Sequence, residues 1–283
     1  MNYRHAFHAG NFADVIKHAV LARIIAHLKE KPAAFRVIDT HAGAGMYDLA
    51  GLEAARTGEW REGIGRLMAA KLAPAVRELL APYLDAIDAF NPGEILKTYP
   101  GSPALAQYWL RAQDRLIACE REPAAARTLA ARMRGDNRIR TVTIDGYTAL
   151  NAYVPPKERR GLVLIDPPFE QPNEHDRIAQ GLAGAQRKWP TGIYALWYPI
   201  KDTRESESFS RRLARLDIAR MLRAELILPG KGDERLRGSG LILVNPPWKL
   251  QSELGVLLPA LADALAGAPG ASGTRVGWLT GEK

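Results

Sequence analysis

The order of apolar and polar positions divides the chain into short hydrophobic runs separated by longer stretches of helical character. Residues 35–39, 115–120, 139–145, 162–166 and 193–198 are apolar runs of strand length, and helix-compatible sequence lies between them. That alternation predicts a parallel sheet with helices on both faces, because a parallel crossover needs a covering element to bring the chain back. Two later runs, 224–228 and 240–245, are joined by a short glycine-rich and basic segment. It leaves no room for a crossover helix, so these two are expected to pair as an antiparallel hairpin. The expected architecture is thus α/β, a mostly parallel seven-stranded sheet with a C-terminal antiparallel hairpin. A last candidate strand, 274–278, follows the small-residue linker 267–273.

Two segments depart from simple alternation. Residues 11–30 carry Phe12, Ile16, Val20, Ile24 and Leu28 at helical spacing, with Asn11 placed as the N-cap and Asp14 three residues on. This predicts an amphipathic helix closed by a capping box. Between the loop after the first strand and the second strand lie about 75 residues, where a βαβ unit takes roughly 30. Groups such as Ile64-Leu67-Met68 and Leu79-Leu80-Tyr83-Leu84-Ile87 give the excess helical character. The expected organisation is an N-terminal helix and first part of the core over 1–51, a helical insertion over 52–97, and the rest of the core over 98–283.

Composition narrows the class. Apolar residues at 47% and charged residues at 25% suit a soluble globular protein, and no run of about 18 apolar residues is present to span a bilayer. The polar start Met1-Asn2-Tyr3-Arg4-His5 does not resemble a signal peptide, so a cytoplasmic protein without a membrane partner is expected. The single cysteine, Cys119, excludes an internal disulfide framework and sits in an apolar run, as a buried structural thiol would. The net charge of +8 suits a polyanionic partner, the more so because arginines cluster. Six fall between Arg121 and Arg140, and a second group runs from Arg204 to Arg237, including Arg211, Arg212, Arg215, Arg220, Arg223, Lys231 and Arg235.

Candidate chemistry collects where strands end. Asp166-Pro167-Pro168-Phe169 follows the run 161–165, and two consecutive prolines make a stiff loop. Asp166 and the Pro167 carbonyl offer two acceptors for an amino group, and Phe169 offers a flat face for the ring that carries it. The tetrapeptide resembles the Asp/Asn-Pro-Pro-aromatic signature of methyltransferases acting on amino nitrogens conjugated to a planar system. A twin, Asn245-Pro246-Pro247-Trp248, follows the last hairpin strand. It lies out of order for a fourth parallel strand, so it is expected to be structural, with Trp248 in the core.

The first strand ends in Asp39-Thr40-His41-Ala42-Gly43-Ala44-Gly45, where small residues allow close backbone approach to a ligand. A nicotinamide site would need a third glycine that this loop lacks. Each following parallel strand also ends in an acid: Glu120, Asp145-Gly146 and Asp166. In an open α/β sheet such ends converge on one edge. There Glu120 is placed to accept ribose hydroxyls, Asp145 to accept an adenine amine, and Asp39 or His41 to meet the amino-acid end of S-adenosyl-L-methionine. A non-catalytic RNA chaperone would account for the arginines but gives no reason for the Pro-Pro loop. The six histidines match no metal-ligand template, and no metal is expected.

The stretch 3–18, Tyr-Arg-His-Ala-Phe-His-Ala-Gly-Asn-Phe-Ala-Asp-Val-Ile-Lys-His, closely resembles that of the RlmJ-type methyltransferases. So do 39–45, Tyr99-Pro100-Gly101-Ser102-Pro103, Cys119-Glu120, Asp145-Gly146 and Asp166-Pro167-Pro168-Phe169-Glu170, nearly end to end. The resemblance implies a Rossmann-like class I core that uses S-adenosyl-L-methionine to methylate the N6 amine of one adenine in 23S rRNA, naked or in early assembly. It also implies cofactor contacts at Lys17, His18, His41, Ser102, Glu120, Asp145, Gly146 and Asp166, to which Asp39 and Gly43 are added from the strand-end layout. Asp166 is implied as catalytic, with Pro167 and Phe169 beside it, and Tyr3 as a substrate-side contact; His5 and Phe169 are assigned to the same side. Phe169 stands where tyrosine is frequent, which keeps the stacking face and loses a hydroxyl. Phe12 stands where histidine is familiar, as packing on the helix would permit. DNA adenine-N6 and protein glutamine-N5 methylation remain alternatives, since the same loop serves any planar amide or amidine nitrogen. A monomer is expected.

Overall fold

The computed structural model describes residues 4–93, 95–228, 236–266 and 272–281. Tyr3, Lys231, Arg235 and most of the 267–273 linker lie outside the described residues. The strands expected from the pattern are present as β1 (Arg36–Asp39), β4 (Arg115–Glu120), β5 (Ile139–Thr143), β6 (Gly161–Ile165), β7 (Ile193–Ile200), β8 (Met221–Ile227) and β9 (Gly238–Val244). β10 (Gly273–Thr280) joins at the edge and extends the seven expected strands to eight, in the order β10-β8-β9-β7-β6-β1-β4-β5. From β5 to β7 every pairing is parallel; β9 runs antiparallel to both β7 and β8, and β10 antiparallel to β8.

Alternate residues of each central strand feed opposite cores, as strand periodicity requires. Val37, Leu116, Leu162 and Leu164 face a layer containing α1 (Phe12–Lys29), α6 (Ser102–Trp109) and α11 (Leu250–Ala266). Ile38, Val163 and Ile165 face α9 (Glu174–Lys188) and α10 (Thr203–Ala214), with Leu150 of α8 (Gly146–Ala152). Residues 52–97 contribute α2 (Leu52–Thr57), α3 (Glu59–Glu62), α4 (Ile64–Ala69) and α5 (Pro74–Phe90). Ile64, Leu67, Leu80, Tyr83 and Ile87 of these helices share one core with α1. α7 (Pro123–Arg132) bridges β4 and β5 and starts with Glu122 capping the Ala124 and Ala125 amides.

Four expectations need correction. α1 is buried on nearly every side, not along one stripe: Asp14, Lys17 and His18 are as enclosed as Val20 and Ile24. Helices pack around it; Asp14 and Lys17 pair with each other, and His18 finds its partner in the Tyr99 hydroxyl. Asn11 does cap α1, accepting from the Ala13 and Asp14 amides, but Asp14 reaches past it to accept from the Gly10 amide. The pattern also missed a short ribbon, β2 (Met46–Asp48) paired with β3 (Thr98–Pro100), three residues being too few to show alternation. Finally, Trp248 is 75% exposed. The turn after β9 directs it outward under the Lys249 ammonium, while Asn245 donates to the Pro190 and Gly192 carbonyls. Cys119 is fully buried, as expected.

Candidate active site

The parallel strands β1, β4, β5 and β6 bring Asp39, Glu120, Asp145 and Asp166 to one edge of the sheet. Between β1 and β4 the backbone is shaped by glycine. Gly43 has φ +61° and donates its amide to Glu120 Oε2 at 2.8 Å, and a Cβ there would meet the Tyr47 hydroxyl at 2.2 Å. Gly45 repeats the left-handed conformation at φ +83°. Glu120 also accepts from the Glu122 amide through its other oxygen, at 2.7 Å. Each oxygen keeps a second lone pair for a ligand hydroxyl.

Asp39 is buried at the end of β1 and accepts from the Ser102 hydroxyl at 2.6 Å, while the His41 amide donates to its other oxygen at 3.3 Å. Burial pushes the Asp39 carboxyl up to about 7, against the pull of the Ser102 hydrogen bond. His41 shares a hydrogen bond with the Thr40 hydroxyl and lies edge-on to Tyr147. Burial lowers its imidazole to about 4. Gly146 faces this ring so closely that a Cβ would stand 2.5 Å from it. No larger residue fits between β1 and the start of α8.

Asp145 caps α8, accepting from the Tyr147 and Thr148 amides. Its other oxygen meets Arg177 at 3.3 Å and Arg121 at 3.8 Å. Burial works against its ionised form, but the amides and Arg177 outweigh it and hold the carboxyl below its ordinary value. Arg177 also stacks over Tyr147, whose hydroxyl donates to the buried Glu174. Arg177, Tyr147 and Glu174 carry no isolated signal in the sequence, since their pairing is made across two helices.

Asp166 is joined by the Lys17 ammonium, which also bonds Asp14 at 2.8 Å and lies over the Trp197 ring. Burial alone would push Lys17 down; the Asp14 and Asp166 carboxylates reverse this and hold it above the ordinary lysine range. Asp14 accepts in turn from His5 Nε2 at 3.0 Å. A buried chain of charge thus runs from the N-terminal segment to the loop after β6. His18 belongs to a different group: it shares a 2.7 Å hydrogen bond with the Tyr99 hydroxyl, which meets the Tyr83 hydroxyl at 2.9 Å. Burial lowers His18 to about 3.

At the end of the loop, Phe169 adopts φ +53°. A bulky residue reaches that region only where its surroundings enforce it. Its ring meets Trp197 edge-on at 5.7 Å and His175 at 5.6 Å. The twin loop is at the other edge, because β9 runs antiparallel to β7. Of the residues singled out from sequence, Lys17, Asp39, His41, Gly43, Ser102, Glu120, Asp145, Gly146, Asp166, Pro167 and Phe169 lie along the one edge. His5 reaches it through Asp14 and Lys17, and His18 faces the interior.

The edge fits S-adenosylmethionine by its chemistry, because carboxylates at successive strand ends are acceptors of the kind that an ammonium group, ribose hydroxyls and an adenine amine require. Gly43 and Gly146 let the backbone pack directly against the Tyr47 hydroxyl and the His41 ring, which a Cβ at either position would strike. The chain matches the family described as Ribosomal RNA large subunit methyltransferase D, RlmJ, over residues 32–280. It is 41% identical to Ribosomal RNA large subunit methyltransferase J of Escherichia coli and 37% identical to the Haemophilus influenzae protein of that name, each match covering 100% of both chains. A crystal structure of a Legionella pneumophila protein is similar at 35% identity with a TM-score of 0.88, covering 98% of this chain and 99% of that one. By sequence and by fold, the chain belongs to the RlmJ family of large-subunit ribosomal RNA methyltransferases.

Proposed function

We propose that this S-adenosylmethionine-dependent rRNA methyltransferase acts on the exocyclic N6 amine of one adenine in 23S rRNA, with Asp166 as the catalytic residue. The observation that carries this reading is the rigid Asp166-Pro167-Pro168-Phe169 loop, with an acid at one end, an aromatic residue in an enforced left-handed conformation at the other, and the carboxylates of three further strand ends along the same edge. Asp145 and Gly146 would hold the cofactor's adenine, Glu120 its ribose, and Asp39, His41 and Ser102 its amino-acid end. When bound, S-adenosylmethionine supplies an electrophilic methyl group and its own leaving group.

The protein's work is then to position and shield the acceptor nitrogen. The adenine amine has its lone pair delocalised into the ring. Acceptance of its two N–H bonds by Asp166 and the Pro167 carbonyl favours the pyramidal, nucleophilic form, and Asp166 takes the proton released on transfer. Phe169 stacks on the extruded base. Lys17 holds Asp166 in place through their ion pair. Tyr3 and His5 serve the substrate side. The chain acts as a cytoplasmic monomer on naked or early-assembly RNA, and residues 52–97 form a helical insertion between core segments 1–51 and 98–283.

The test is to incubate the protein with labelled S-adenosylmethionine and protein-free 23S transcript, DNA or release factor, then map the modified position. Label at one adenine N6 of the transcript is expected, and label in DNA or protein alone overturns the assignment. Asp166→Ala should lose at least about a thousandfold in kcat, the upper part of the range for a positioned proton acceptor, with fold and RNA binding kept. Near-normal turnover by that variant would remove the loop from the mechanism.

A further inference from the structure

Beyond Phe169 the molecule has a cleft of about 270 Å³ that no step above uses. Its wall is shared: Phe169 lines it, together with His175, Phe209, Tyr198, Lys201 and Glu205. We propose that this cleft receives the base of the nucleotide adjacent to the target adenine, so that Phe169 separates two neighbouring bases of the bound RNA. The inference rests on the proposed RNA substrate and names a subsite for it.

Three features favour a base over any other part of the substrate. First, the cleft offers flat surfaces. His175 packs on Phe209 with centroids 4.5 Å apart and planes inclined by 33°, so one side of the imidazole is backed while the ring still lines the opening. Phe209 is in turn braced edge-on by Tyr198, whose hydroxyl is tied to Glu225. This rigid stack suits a heteroaromatic ring, which it can meet without reorganising. Second, the charge is wrong for phosphate. Glu205 and Glu170 line the cleft beside the Lys201 ammonium. Carboxylates repel a phosphate and accept from a base's exocyclic amine, whereas an exposed lysine at the rim meets the backbone outside. Third, burial lowers the His175 imidazole below its ordinary value, with Arg212 acting in the same direction and Glu205 against it, which favours an uncharged ring as a stacking partner. Neighbouring bases in a strand are joined by one phosphodiester, and two stacking sites that share the Phe169 ring as a wall fit that connection.

The test uses the full-length protein and a 23S fragment containing the methylated adenine, with an abasic ribose placed at the 5′ or the 3′ neighbour. For the wild type, one of the two abasic substrates should raise KM by about tenfold, within the range of a single base–aromatic stack. His175→Ala should show the same loss on intact RNA and no further loss on that abasic substrate, with unchanged affinity for S-adenosylmethionine. Glu205→Gln, a substitution at the exposed rim, should weaken discrimination between adenine and uracil at that neighbour. Independent, additive losses from the abasic site and His175→Ala would overturn the subsite, as would indifference of the wild type to both abasic positions. If the wild type transfers no methyl group to intact RNA, the substrate reading itself falls and the subsite with it. The intact-RNA control therefore separates the two failures.

Discussion

Asp39 shows how a single buried carboxyl can limit a fold. It is 1% exposed, and burial lifts it to about 7 from an ordinary value of 3.8, with the Asp166 carboxylate adding to the rise. Between those values the folded protein binds a proton that the unfolded chain has released, so stability falls as pH rises from about 4 to 7. The full effect is on the order of 4 kcal/mol, counted at about 1.4 kcal/mol for each tenfold change in proton affinity. His18 acts from the other side. Its imidazole is held neutral down to about 3, so its contribution is present at neutral pH and lost as pH falls below 6.5. Asp39→Asn keeps the shape and an acceptor for Ser102 while removing the charge. We expect this variant to gain on the order of 4 kcal/mol over the wild type in denaturant unfolding at pH 8, and less than half of that at pH 5. An equal difference at both pH values would show that Asp39 is not protonated within this window. If Asp39 holds the cofactor's amino-acid end as proposed, cofactor affinity should fall in the same variant, because a carboxylate has become a neutral amide.

At the scale of elements, the two Pro-Pro loops separate what local sequence says from what topology decides. Both follow apolar strands, and their tetrapeptides differ mainly in the first residue and the last. β6 is parallel to β1 and delivers Asp166 to the edge where Asp39 and Glu120 end; β9 is antiparallel to β7 and delivers Asn245 to the opposite edge. The parallel character of the first strands was readable from the alternation of the runs, and with it the convergence of the four acids; the order of the strands in the sheet was not. The exposure of Trp248 was not, since it follows from the direction of one turn. Nor was the all-round burial of α1. Asp14, Lys17 and His18 read as polar positions, and their burial depends on Asp166, His5 and Tyr99 arriving from distant parts of the chain. Arg177 became visible for the same reason only when α9 was seen to lie over Asp145. The loops can be tested against each other. Asn245→Ala should cost about 1 kcal/mol of stability, by removing the donor to the Pro190 and Gly192 carbonyls and placing alanine at φ +51°, and should leave kcat unchanged at a temperature where the variant is folded. A large loss of kcat with stability intact would instead place the Asn245 loop in the reaction.

The whole molecule carries a net charge of +8, yet the edge where chemistry is assigned is rich in carboxylates: Asp39, Glu120, Asp145, Asp166 and Glu174. A phosphate backbone is repelled from such an edge and must be held elsewhere, with only a base extruded into the site. We propose that the exposed arginines between β4 and the end of β5 form one such surface. Several have work within the fold: Arg138 binds Asp136 and the Leu110 carbonyl, Arg121 approaches Asp145, and Arg140 lies over Tyr153. Arg132, in the last turn of α7, and Arg134 are exposed and make no ion pair among the described residues. Cations that do nothing for the fold can be removed without harming it, and at a phosphate track each contributes through counterion release. The double variant Arg132→Ala, Arg134→Ala should therefore bind 23S fragments more weakly by a similar factor whatever their sequence. The slope of log affinity against log salt should fall by about 1.5, or some 0.7–0.9 for each phosphate no longer neutralised. S-adenosylmethionine affinity and thermal stability should not change. An unchanged salt slope would mean that the backbone runs over another face, and the exposed arginines of α10, Arg204 and Arg211, would then be the next to replace.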